Sequence, residues 1–264
     1  MLIDPKSSLV KGVARLSKKD ARSQTGLFLL EGLQGLKEAL RSPKLIVELY
    51  ATPECVDRNP ELFNRARSAR LDVTLVSERV LEQMCDTTTP QGVVAVCEQV
   101  DVVLEEVLRL KPKLVAVLSQ VRDPGNAGTV LRAADAAGAD AVIFTDNSVD
   151  LYNPKVVRST TGSIFHLPIV LGVEISDTIA KLKQAGVQVF AADGGGSLIT
   201  ELPEGALTKP TAWVFGNEAW GFEPETLQAV DNVVGLPLYG PAESLNLATA
   251  ASVCLYQSAF AQRA

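Results

Sequence analysis

The sequence predicts an α/β protein with an open, mainly parallel sheet, preceded by a smaller α/β domain. Strand-like and helix-like segments alternate along most of the 264 residues, which is the signature of helices packed on a sheet. The stretch LVAVLS (Leu114–Ser119) is apolar throughout, as expected of a strand covered on both faces. Between the two halves, Asp101–Lys113 reads as a charged helical linker ending at Pro112, after which the alternation restarts. The expected division is therefore residues 1–100, a linker at 101–113, and a larger domain at 114–264.

In the first part, GLFLLEG (Gly26–Gly32) reads as a strand, followed by a helix to Arg41 with Leu33, Leu36 and Leu40 at helical spacing. KLIVELYA (Lys44–Ala51) is a β-branched-rich strand. Pro60–Ala69 reads as a helix, DVTLV as a strand, and Ser77 as the cap of a helix to Cys85. GVVAVCE (Gly92–Glu98) is a further buried strand. In the second part, AVIF, LPIVL, VQVFAA, AWVF and VVGLPL read as strands. Helices are expected at Gly128–Ala137, Ser176–Ala185, Glu223–Ala229 and from Ser244 to the C-terminus.

Hydrophobic residues make up 47% of the chain and charged ones 21%, enough apolar material for sizeable cores. Neither a signal-peptide pattern nor an apolar run of membrane-spanning length is present, so a cytoplasmic protein is expected. Four scattered cysteines without a CxxC pair read as reduced, buried thiols. The single histidine, His166, has no neighbouring ligand and reads as a structural or rim residue, so no protein-held metal is expected. The formal charge of −6 opposes a nucleic-acid partner on average. Residues 1–30 reverse the sign locally, with Lys6, Lys11, Arg15, Lys18, Lys19 and Arg22 against Asp4 and Asp20. That cluster is either an RNA-binding arm or a solvated face. Arg65, Arg67 and Arg70 read as a solvated helix face.

Three stretches carry the chemistry. VRDPGNAGTVLRAADAAGAD (Val121–Asp140) follows a strand and opens a helix, where free N–H groups suit an anion. A dinucleotide loop would need a third glycine, and here only Gly125 and Gly128 are present. Instead, Asn126 and Arg132 are offered, and Arg132 is expected to lean back toward the mouth of the turn. VFGNEAWGF (Val214–Phe222) sets Glu218 between two glycines after a buried strand. Trp220 and Phe222 are expected to cover core rather than to stack a base. LPLYGPAESLNLATAASVCLY (Leu236–Tyr256) ends a strand in a loop and begins a helix of small residues at Ser244.

Together these stretches resemble the SpoU-type (TrmH-like) RNA ribose methyltransferases of the SPOUT superfamily. DPGNAGTVLRAADAAG is similar to the first family motif, FGNEAWG to the second and LPLYGPAESLNLATAA to the third. NPKVVRSTTGSIFHLPI (Asn153–Ile169) resembles a segment lining the RNA side. GLFLLEG and TPQGVVAV resemble the family's ribosomal-protein-like substrate-binding domain. Two departures stand out: NLATAA replaces a more β-branched run, and His166 stands where a basic residue is common.

The resemblance implies a C-terminal trefoil knot, a homodimer through the C-terminal domain, and S-adenosyl-L-methionine (AdoMet) as methyl donor. The implied reaction methylates a ribose 2′-hydroxyl in RNA, with rRNA favoured over tRNA. Arg132 is the catalytic residue by position. Its guanidinium stays protonated, so the expected role is to stabilise the developing alkoxide while the proton leaves to a phosphate oxygen or water. Asn126, Glu218, Ser244 and Asn246 would surround it, with Glu218 orienting Arg132 or a neighbouring amide. Gly216, Leu236 and Leu245 would contact AdoMet, and DGGGS (Asp193–Ser197) either borders that pocket or is a flexible loop. Lys11, Arg15, Lys18, Lys19, Arg22, Lys155 and Arg158 would bind RNA. Two rivals remain: a non-catalytic RNA-binding or assembly protein on the same fold, and a dinucleotide-dependent oxidoreductase, which the missing glycine disfavours.

Overall fold

A computed structural model describes residues 1–264. The chain forms two compact units, one of Met1–Val100 with Asp150–Phe165, the other of Asp101–Val149 with His166–Ala264. The first unit ends at Val100 and in addition takes in Asp150–Phe165 from the second half of the sequence, while the segment 101–113 packs with the second unit.

The first unit begins with α1 (Ser8–Arg15) and α2 (Lys19–Thr25), followed by β1 (Leu27–Glu31), α3 (Leu33–Ala39) and β2 (Ile46–Ala51). Then come α4 (Pro53–Arg58), α5 (Pro60–Ser68), β3 (Val73–Leu75), α6 (Glu78–Met84) and β4 (Val93–Glu98). Its sheet has the order β1-β4-β2-β3, antiparallel except for the β2–β3 pair. Ser7, Thr52 and Ser77 each cap a helix through the side-chain oxygen, satisfying N–H groups that a helix start leaves unpaired. One core joins Val10, Val13 and Leu16 to Leu29, Val80, Met84 and Val94. The helices α1, α2 and α4 were not expected from the sequence.

The second unit starts with α7 (Leu104–Arg109), which is no free linker: Leu104 and Val107 are buried in its core. It continues through β5 (Leu114–Leu118), α8 (Pro124–Ala137) and β6 (Ala141–Thr145). The chain then passes into the first unit as α9 (Pro154–Thr160). It returns for β7 (Ile169–Val173), α10 (Ile175–Gln184), β8 (Gln188–Leu198), β9 (Thr211–Phe215), α11 (Pro224–Ala229), β10 (Asn232–Gly235) and α12 (Leu247–Ala261). All six strands are parallel, in the order β10-β8-β9-β5-β6-β7. β5, β6 and β9 are buried at every position, as their almost wholly apolar sequences suit for strands covered on both faces, with Thr145 and Thr211 the buried polar residues at two strand ends.

Two helix starts differ from expectation. Helix α8 begins at Pro124 with Asp123 as its cap, so Asn126 already lies in the first turn. Proline is at home at that first helical position, where no donor is needed. Helix α12 is capped by Asn246, whose Oδ1 accepts from the Ala248 and Thr249 amides, and Ser244 lies ahead of the helix.

Two residues expected to bind RNA are structural. Arg22 is 3% exposed, with Nη1 donating to the Leu16 carbonyl at 2.9 Å and Nη2 paired with Asp150 at 2.6 Å. Arg158 on α9 bridges Glu31 at 2.8 Å and Asp86 at 3.1 Å. The Glu31 carboxylate, itself buried, also accepts from the Asp86 and Thr87 amides. Sequence alone shows a positive charge but not the carboxylate folded against it. With Phe28 against Tyr152 at 4.9 Å between ring centres, these pairs fix Asp150–Phe165 in the first unit. Breaking a buried pair leaves the other charge uncompensated. Arg22→Ala should therefore lower unfolding free energy by about 3 kcal/mol, read as a reduced urea midpoint.

Burial holds the cysteines as thiols: it raises Cys85 and Cys254 to about 12 and pushes Cys97 up as well. Burial, reinforced by Glu48, likewise raises the Tyr50 phenol. In the unfolded chain these groups ionise near their ordinary values, so their contribution to stability is intact below about pH 8.5. It is lost as pH climbs toward the raised values. Urea midpoints should hold steady between pH 7 and 8 and fall steadily from pH 9 to 11.

Candidate active site

The parallel strands of the second unit end on one side in a cavity of about 460 Å³. Loops after β9, after β10 and at the start of α8 line it, where ligands bind in open parallel sheets. Its lining includes Asn126, Gly216, Glu218, Leu236, Ser244, Leu245 and Asn246. All seven are predicted site residues, brought together from positions more than a hundred residues apart.

A polar chain ties the three loops. Glu218 accepts from the backbone amides of Arg122 at 3.2 Å and Asp123 at 3.1 Å, and from Asn126 Nδ2 at 3.2 Å. Asn126 Oδ1 then accepts from Asn246 Nδ2 at 2.9 Å. Asn246 Oδ1 in turn caps α12. Glu218 therefore orients the neighbouring amide, the second of its two expected partners, and has no bond to Arg132. Ser244 is exposed at the cavity wall.

Backbone geometry completes the wall. A Cβ at Gly216 would overlap the Gly221 carbonyl, so only glycine lets this loop close on itself. DGGGS borders the cavity: Ala191 pairs with Val233 and Ser197 with Val234, so β8 bulges away from β10 between them, after Ala192 has paired with Phe215 of β9. Asp193 and Gly194 face the cavity from that excursion, and Asp193 Oδ1 accepts from the Gly195 amide at 2.8 Å. At Gly196 a Cβ would overlap the Val233 carbonyl. Polar groups of Asp193, Glu243 and Ser244 share the cavity with apolar surface from Leu236, Leu238 and Phe222. This mixture fits a ligand with both a flat apolar ring and a positively charged group. Cys254 also lines it, but its raised thiol excludes a thiolate nucleophile near neutral pH.

Sequence reasoning missed Asn217. It is buried, donates from Nδ2 to the Gln120 carbonyl at 2.7 Å and accepts from the Ala219 amide at 2.8 Å. Gln120 has φ +54°, and its amide donates to Thr145 Oγ1 at 3.1 Å. A left-handed non-glycine residue at the end of β5 is strained, and these two bonds hold it. The signal available was the Asn beside Glu218 in FGNEAWG.

Arg132 does not line the cavity. Six residues at 3.6 per turn place it about 120° around the helix from Asn126. It is exposed and makes no hydrogen bond or ion pair within the chain. The expectation that it leans back beside Asn126 fails on this helical phase. One turn further on, Asp135 Oδ2 lies 2.7 Å from Nδ1 of the exposed His166. Trp220 is 47% exposed rather than covering core, and Arg122 lies 5.0 Å from its ring centre. Lys11, Arg15, Lys18, Lys19 and Lys155 are all exposed.

This geometry defines a class: a parallel α/β ligand-binding fold whose loops build a polar-apolar pocket at the strand ends. The comparisons narrow it. The SpoU rRNA Methylase family profile matches residues 113–256, and a profile for RNA 2′-O ribose methyltransferase substrate binding matches residues 29–103. The chain belongs to the SpoU rRNA methylase family. It is 36% identical to the 23S rRNA (guanosine(2553)-2′-O)-methyltransferase RlmP of Bacillus subtilis, covering 95% of this chain and 96% of that one. Among solved structures, the AdoMet-bound rRNA methyltransferase from Sinorhizobium meliloti is 30% identical, with TM-score 0.83 over 97% of this chain and 96% of that one. AviRb from Streptomyces viridochromogenes, a SpoU methyltransferase in complex with AdoMet, is 27% identical, with TM-score 0.82, covering 97% of this chain and 99% of that one.

A charged acceptor of several hydrogen bonds contributes about 1.5–3 kcal/mol. Glu218→Ala should accordingly weaken AdoMet binding by about tenfold or more, measured by calorimetric titration. Glu218→Gln, which can still accept, should lose less.

Proposed function

We propose that this protein transfers a methyl group from AdoMet to a ribose 2′-hydroxyl of RNA, with rRNA as the substrate class. The observation that carries the reading is the Glu218–Asn126–Asn246 chain, which locks three loops around one cavity at the strand ends. AdoMet, when bound, supplies a methyl group already activated on a positive sulfur. Gly216, Leu236 and Leu245 are suited to hold its adenosine through close backbone approach, with Asp193, Glu243 and Ser244 near its polar end.

The 2′-hydroxyl is a weak acid, so the chain must stabilise negative charge on oxygen as the proton leaves to a phosphate oxygen or water. Arg132 is the residue for this role, because its guanidinium is always charged and carries a fork of donors. Its separation from the cavity within one chain supports a homodimer. Thr129, Arg132 and Ala136 form an exposed stripe on α8. Beside them α12 exposes Val253, Tyr256 and Phe260, with Phe260 65% exposed. The Tyr256 hydroxyl donates to the Ala136 carbonyl at 3.2 Å, which joins the two helices into one surface. A second copy packed there would cover the apolar patch and bring each Arg132 toward the other copy's cavity.

We also assign the trefoil knot to the C-terminal segment. After β10 at the sheet edge, the chain runs back so that α12 packs on β9, with Trp213 Nε1 donating to Ser258 Oγ at 2.9 Å in the core. The exposed Lys11, Arg15, Lys18, Lys19 and Lys155 supply phosphate contacts. The cytoplasm, where rRNA is modified, is the assigned location; no helix is long and apolar enough to cross a membrane.

Labelled AdoMet and total RNA test the reading. Wild type should methylate a single ribose site; absence of transfer to RNA would leave the binding-protein alternative. Arg132→Ala should lose about 10²–10³ in single-turnover rate with AdoMet affinity unchanged. Mixing Arg132→Ala with Glu218→Ala should restore part of the activity, because a mixed dimer retains one intact site. No restoration, with dimers confirmed by sedimentation, would reject the shared site.

A further inference from the structure

We infer that Arg122 and Trp220 form a platform on which a base of the RNA stacks beside the methyl-transfer cavity. This deepens the RNA methylation proposed above and rests on it.

The chain has two tryptophans that differ sharply. Trp213 is wholly buried in β9, whereas Trp220 is 47% exposed. Trp220 stands outside the cavity, although its neighbours Gly221 and Phe222 line it. The ring is therefore positioned at the rim rather than in the cofactor pocket. An indole left in water forgoes a large apolar gain, so a fixed exposed ring is a candidate contact for a flat partner.

The turn that carries the ring is fixed by its hydrogen bonds. The Asn217 and Gly221 backbones exchange hydrogen bonds of 2.8 and 2.9 Å, closing the turn that carries Trp220. Asn217 Oδ1 accepts from the Ala219 amide inside that turn. On the other side, the Arg122 amide donates to Glu218. Arg122 and Trp220 thus hang from two loops joined by one carboxylate, and the guanidinium lies 5.0 Å from the indole centre. A cation over an aromatic face is attractive and orders both groups before any ligand arrives.

The chemistry points to a nucleobase. Unpaired RNA bases are recognised by stacking on aromatic rings and on guanidinium planes, and this pair offers both. The guanidinium also supplies positive charge for an adjoining phosphate, on a loop where Asp123 and Glu218 are engaged in hydrogen bonds to the chain. A base held there would set its nucleotide, or the one next to it, against the cavity mouth. Trp220 and Arg122 are accordingly positioning residues.

Because Trp213 is buried, Trp220 dominates tryptophan emission accessible to acrylamide. The full-length protein is titrated with a mixed-sequence single-stranded oligoribonucleotide and, separately, with total ribosomal RNA. Both should shield Trp220 from acrylamide, and Trp220→Phe should lack the signal. In methylation of total RNA, Trp220→Leu should raise KM for RNA about ten- to a hundredfold, well beyond any fall in kcat. Trp220→Phe should recover most of that loss, and AdoMet affinity should hold in both. Arg122→Ala should weaken RNA binding and lower its salt dependence by about one phosphate contact. Shielding that follows protein concentration without RNA would mean a second copy covers the ring, and shielding by AdoMet alone would mean a cofactor contact; either overturns the proposal. An unchanged KM in Trp220→Leu overturns it too, while wild-type methylation of RNA leaves the broader reading intact. A wild type that transfers no methyl group to RNA takes both down.

Discussion

The carboxylate of Glu218 is the constraint on which the site depends. An ionised carboxylate can only accept hydrogen bonds, and this one takes two backbone amides and one side-chain amide. That fixes the orientation of Asn126, whose Nδ2 must face Glu218 and whose Oδ1 must face away. Asn246 meets that oxygen with its own Nδ2, which leaves its Oδ1 to cap α12. One charge thus sets the direction of every donor along a chain crossing three loops and ending in a helix start.

The rest of the pocket serves close approach. Parallel strands buried on both faces give a rigid floor, and their carboxyl ends hand the chain to loops that must turn sharply. Gly216 and Gly196 sit where any side chain would collide with a carbonyl. Gln120 holds a left-handed backbone through two hydrogen bonds instead. Strain is stored at the strand end beside the cavity, and a preorganised polar network offsets it.

Charge is divided between two tasks. Arg22 and Arg158 are held against Asp150, Glu31 and Asp86 and bind the segment between β6 and β7 into the first unit. Lys11, Arg15, Lys18 and Lys19 stay in water on α1, α2 and the turn joining them. A chain of net charge −6 can present a local basic surface because the acidic residues lie elsewhere in the sequence. Arg132 and Arg122 are also exposed, Arg132 away from the pocket and Arg122 on the loop that Glu218 ties to it, and neither is paired with a carboxylate.

Local chemistry was enough to determine most strands, the capping residue Ser77 and the three loops that line the cavity. Buried parallel strands are apolar along their whole length, and loops at their ends need glycine, proline and short amides, so both leave a mark in the residue order. Only tertiary structure decided the remainder. It placed residues 150–165 in the first unit, closed Arg22 and Arg158 into ion pairs, and exposed Trp220. It turned Arg132 away from Asn126, and it made Asn246 rather than Ser244 the cap of α12. Each of these depends on a partner distant in the chain or on where a helix begins. A residue's type states what it can bond to, but which group stands opposite it is set when the sheets and helices pack.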